Sequence, residues 1–102
     1  MPTNDLVSPW KPMDNSVDLK CLGKLLEELG EAVAAASRCL IQGIDETEPI
    51  TGKPNRLWLE EELADIQAGA RIVTERFHLR KDFIEARSAR KEVQLRAWHL
   101  LP

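Results

Sequence analysis

The sequence predicts an all-α fold: a helical bundle of about three long helices with an irregular N-terminal arm, completed by homo-oligomerisation. Three observations predict it. Apolar residues recur at helical spacing over long stretches. Glycine and proline sit mostly outside those stretches, and β-branched residues are sparse. Hydrophobic residues make up 43% and charged residues 30% of the chain, a balance suited to a folded, soluble helical protein. The length of 102 residues fits a single domain, 1–102, with a modest core.

Residues 1–15 are polar and carry Pro2, Pro9 and Pro12, so they read as the arm. Asn15 or Ser16 can cap a first helix beginning near Val17, with Asp18 favourably placed in its first turn. Leu22, Leu25, Leu26, Leu29, Val33, Ala36 and Leu40 form its apolar stripe, and Gly43 is a natural terminator. Residues 44–54 read as a loop. A second helix is expected from about Asn55 to Phe77, with Leu59, Leu63, Ile66, Ala70, Val73 and Phe77 as its stripe. After a break at 78–81, Asp82 and Glu85 form a D-x-x-E pattern like a capping box, opening a third helix to about Trp98. Stripes this broad on three helices would leave apolar surface uncovered in a monomer, which is why a homo-oligomer is expected.

Charge narrows the function classes. The net charge is −3, which does not recommend nucleic acid as a partner. No apolar run is long enough to span a bilayer, and the N-terminus lacks the pattern of a signal peptide, so a cytoplasmic location is expected. Cys21 and Cys39, if on one helix, lie about 27 Å apart, too far for a disulfide. They are expected to be packed, reduced thiols, and His78 and His99, near helix ends, are expected to have no functional role.

The chemistry is concentrated in two acidic stretches, LLEELGE at 25–31 and LEEELAD at 59–65. At about 100° per residue, Glu28 falls on the border of the first stripe, with Glu31 about 60° to its other side. Glu62 and Asp65 repeat that arrangement on the second helix. Packed antiparallel, the two i,i+3 pairs would face each other and four carboxylates would converge. Adjacent carboxylates at the margin of a core raise each other's pKa values. Mg²⁺ or Mn²⁺ would relieve the repulsion, and zinc is disfavoured because no Cys or His stands at ligand spacing within the pairs. Magnesium held by carboxylates with open positions usually acts on phosphates. The competing reading is a solvated acidic face on a non-enzymatic, oligomeric interaction module. Glu60 and Glu61 fit that description.

EELGE (27–31) followed by ELAD (62–65) resembles the E-E-x-x-E … E-x-x-D pattern of the all-α nucleoside triphosphate pyrophosphohydrolases, the MazG-like superfamily. The likeness covers residues 17–77, with a somewhat longer spacer between Glu31 and Glu62. It implies Mg²⁺-dependent hydrolysis of nucleoside triphosphates, often deoxy forms, to monophosphate and pyrophosphate by a dimer or a dimer of dimers. It further implies that Glu28, Glu31, Glu62 and Asp65 are metal ligands supporting attack of a water on the α-phosphorus. Glu27, on the face of Glu31, is the candidate to orient or deprotonate that water or to help hold a second metal.

The expected substrate contacts are basic and aromatic. Lys24, one turn before Glu28, could reach a phosphate or pair with Glu28. By the same resemblance, Arg87 and Lys91 in the third helix are expected to contact phosphates, with Arg90 a weaker choice. Trp58, one turn before Glu62, is a candidate to stack on the base, and Trp10 could fold over the pocket of the same or a neighbouring subunit.

Overall fold

The computed structural model describes residues 6–102, so the first five residues of the arm, including Pro2, lie outside the described residues. Among those described there are three helices and no strand: α1, Ser16–Gln42; α2, Asn55–Arg76; and α3, Lys81–Trp98. Residues 9–15 are irregular, as expected of the arm. Among the described residues no helix is long and apolar enough to cross a membrane.

The ends of α1 follow the sequence signals. The Asn15 side chain accepts hydrogen bonds from the backbone N–H groups of Val17 (2.9 Å) and Asp18 (3.1 Å), satisfying two otherwise orphaned donors. At the other end Gly43 takes φ +108°, a conformation that L side chains rarely adopt, and donates its N–H to Cys39 O. α2 closes differently. His78 stands in the left-handed region (φ 51°), with His78 N–H donating to Glu75 O and Leu79 N–H to Thr74 O. That pair of bonds is a Schellman closure, normally built on glycine. The expected Asp82/Glu85 capping box does not form: α3 starts at Lys81, and its flanking residue Arg80 makes no side-chain cap bond. Asp82 already lies inside the first turn, where its charge favours the helix dipole but its carboxylate is not in the cap position.

Only α1 and α2 pack along their length, antiparallel. The ties run in register from end to end: Asp18 pairs with Arg76, Gly69 sits against Leu25, and Cys39 Sγ contacts Asn55 O. The buried seam is not centred on the leucines. Ala35, Gly69 and Val73 are buried, whereas Leu26, Leu29, Val33, Leu40 and Leu63 are exposed. The seam therefore runs through Ala32, Ala35 and Cys39, all within about 40° of Glu28. Small residues explain the shift. A Cβ added at Gly69 would stand 3.3 Å from Leu25 Cδ1 and 3.6 Å from its Cα, so the two backbones approach closely there. The larger leucines lie on one flank with nothing above them.

α3 makes no comparable contact with either helix. The Cα radius of gyration is 18.9 Å, against about 13 Å for a compact domain of this length. The three helices thus form a hairpin with an extended third helix rather than a closed bundle within one chain.

The loop between α1 and α2 is tightly organised. Glu48 is buried, and its carboxylate accepts from Ile50 N–H, Thr51 N–H and Thr51 Oγ1 at 2.7–3.0 Å, which holds its pKa below the ordinary value. Asn55, fully buried, donates from Nδ2 to Gln42 Oε1 (3.1 Å) and to Gly43 O (3.0 Å), so the first residue of α2 is tied to the last turn of α1. Asn55→Ala is expected to lower stability by about 2 kcal/mol through loss of these buried bonds. Urea unfolding followed by circular dichroism measures it, and an unshifted midpoint would show that the loop is held by other means.

Candidate metal centre

The antiparallel seam brings the two i,i+3 pairs together. One carboxylate oxygen from each of Glu28, Glu31, Glu62 and Asp65 lies within 4.8 Å of the other three. Sequence phase placed Glu28 and Glu62 at the border of the core. The helix packing instead carries them into the seam, where Glu62 is only 6% exposed and Glu28 half-buried, while Glu31 and Asp65 remain at the open edge. Glu28 Oε2 and Glu62 Oε2 are buried without a hydrogen-bond partner.

Two buried, unpartnered carboxylate oxygens carry a large desolvation cost. Burial, followed by the charges of Glu31, Asp65, Glu62 and Glu27, pushes the Glu28 carboxyl above its ordinary value. Burial again leads for Glu62, joined by the charges of Glu31, Asp65 and Glu61. No Lys or Arg forms an ion pair with any of the four among the described residues. The donor set is all oxygen, with two ligands inside the seam and two at its open edge. It fits a hard divalent cation, which would supply the missing partner for both buried oxygens.

The other expected site residues fall into two groups. Lys24 and Glu27 are near the cluster but committed to each other, with Lys24 Nζ 2.9 Å from Glu27 Oε2, so Lys24 does not pair with Glu28. That contact raises the Lys24 pKa, first by the hydrogen bond and then by the charge of Glu27. Trp58 lies on the loop side of the cluster. Arg38 and Lys53 stand over its ring, at 5.1 and 4.3 Å from the centroid, and its indole N–H is buried without a partner.

The second group is not brought to the carboxylates within one chain. Arg87, Arg90 and Lys91 are exposed on α3, and Lys91 lies 5.0 Å from the Trp98 ring centroid. Trp10, in the arm, is 79% exposed. A groove of about 720 Å³ between the end of α2 and the start of α3, lined by Ala70, Thr74 and Ile84 among others, contains none of the four carboxylates. Cys21 and Cys39 are free and half-buried, as expected.

Arg38 and Lys53 were not singled out by pattern. Spacing held a signal for Arg38, which follows Glu31 by two helical turns on the same edge. Lys53 reaches Trp58 only through the loop fold. Comparison with protein-family models, curated proteins and solved structures gives no match for this chain. The chemistry of the site therefore stands on its own residues.

Raised carboxyl pKa values have a definite linkage sign. The folded chain binds more protons than the unfolded one between the ordinary carboxyl value, 4.5, and the raised values, so this contribution to stability is lost as pH rises through that window. The metal-free protein is expected to melt lower at pH 7 than at pH 5 on this account. Glu62→Gln, which removes a buried charge and offers N–H donors to its neighbours, should flatten that dependence and raise the metal-free melting temperature at pH 7. Calorimetric scans across pH in EDTA test it. An unchanged profile in Glu62→Gln would show that the cluster is not the source.

Proposed function

We propose that this protein is a Mg²⁺-dependent nucleotide pyrophosphohydrolase that cleaves nucleoside triphosphates, deoxy forms included, to monophosphate and pyrophosphate. The observation that carries the reading is the convergence of Glu28, Glu31, Glu62 and Asp65 with two buried carboxylate oxygens left unpartnered. The likeness of EELGE and ELAD to the MazG-like pattern points the same way. Mn²⁺ could substitute for Mg²⁺ at such oxygen ligands.

In this reading a bound Mg²⁺ supplies charge neutralisation at the phosphates and a lowered pKa for water. The protein's part is positional. Glu28 and Glu62 are fixed by the seam, while Glu31 and Asp65 face the side from which a phosphate chain would enter. A water oxygen bonds to the α-phosphorus as the bond from that phosphorus to the α–β bridging oxygen breaks. The bridging oxygen departs with the pyrophosphate, and the water gives up one proton. Glu27, paired with Lys24 beside the cluster, is the candidate to take that proton.

The exposed leucine flank and the unpacked α3 support assembly as a homodimer or a dimer of dimers, in which Arg87, Lys91 and Trp10 could reach a neighbouring site. The same exposure favours the alternative of a non-enzymatic oligomeric module. Metal linkage separates the two, because ligand binding to the native site raises stability by about 2.7 kcal/mol at one hundred times its dissociation constant. Incubation with a panel of nucleoside triphosphates and Mg²⁺ should release pyrophosphate, read by a coupled assay, and Asp65→Asn should lose at least a hundredfold in turnover while keeping its helicity. Orthophosphate as the primary product, or full activity in Asp65→Asn, would refute the assignment.

A further inference from the structure

Three cations stand along the edge of the hairpin on which Glu31 and Asp65 are exposed, and two of them are already committed. Lys24 is held by Glu27, and Lys53 forms an ion pair with Glu61. Arg38 makes no ion pair among the described residues. It is half-buried, with its guanidinium 5.1 Å from the Trp58 ring centroid and Lys53 Nζ over the same ring at 4.3 Å.

The position follows from helical geometry. Arg38 comes two turns after Glu31, about 10 Å along α1. Trp58 comes one turn before Glu62 on the antiparallel partner, so the Arg38–Trp58 contact lies immediately on the loop side of the four carboxylates. A guanidinium is weakly hydrated, so it can rest on an aromatic ring and still present its planar fork to a phosphate. Resting there also removes much of the rotamer freedom that anion binding would otherwise cost. A polyphosphate approaching four carboxylates needs a cation beyond the metal, and Arg38 is the one on this edge without a carboxylate partner.

We infer that Arg38 is a substrate-binding residue for the β- and γ-phosphates, the pyrophosphate portion that leaves, and that Trp58 is the positioning residue that holds its guanidinium. This assignment rests on the pyrophosphohydrolase reading. It also gives Trp58 a different part from base stacking, since two cations already lie over its ring.

The test is calorimetric titration of the full chain with inorganic pyrophosphate in Mg²⁺, beside thermal scans with Mg²⁺ alone. Arg38→Gln is expected to weaken pyrophosphate binding tenfold or more, the loss of a hydrogen-bonded charge pair, and to keep the full Mg²⁺-induced rise in melting temperature. Arg38→Lys retains charge but not the fork and should lose several-fold, which keeps the test open if the glutamine variant fails to fold. Trp58→Phe keeps a ring and should lose less than Arg38→Gln. Unchanged pyrophosphate affinity in both Arg38 variants, with the Mg²⁺ shift intact, overturns the role of Arg38 and leaves the metal centre standing. Absence of any Mg²⁺ shift in the unsubstituted chain removes the metal centre, and the assignment of Arg38 falls with it.

Discussion

The close antiparallel approach of α1 and α2 is the constraint on which the rest of the molecule depends. It is built on small residues: Ala35 is buried, and Gly69 lets the α2 backbone come against Leu25. Because the contact line runs through these small positions, it also runs through Glu28 and Glu62, each about two turns from them along its helix. The carboxylates are therefore fixed by backbone packing rather than by their own interactions. The packing thereby keeps four carboxylates together against their mutual repulsion.

That arrangement has an energetic consequence. A thin seam buries little apolar surface, and two of its members are carboxylates whose buried oxygens lack partners. Order in the hairpin is reinforced at its ends instead. Asn55 and Glu48 organise the loop, and the Asp18–Arg76 pair, with Arg76 also donating to Asn15 Oδ1, ties the open end beside the α1 cap.

The leucine flank of α1 and the whole of α3 stand outside this unit. Leu40 is 88% exposed and Val93 and Trp98 mostly so.

The sequence by itself determined the three helices, the Asn15 cap, the Gly43 stop and the shared phase of the two carboxylate pairs, because each is a local property of spacing and residue type. Tertiary structure decided everything that depends on which faces meet. Hydrophobicity placed the buried stripe over the leucines, whereas close packing at Gly69 and Ala35 rotated it onto Glu28 and Glu62. Residue type offered Lys24 to Glu28, and the folded chain gave it to Glu27. The Asp82/Glu85 pattern promised a cap that the starting point of α3 left unused. Arg38, distant from Trp58 in sequence, became its neighbour only through the loop that folds α2 back along α1. Helix formation is settled over a few residues, but the choice of contact face is settled by how near two backbones can come, and that distance is written in both helices at once.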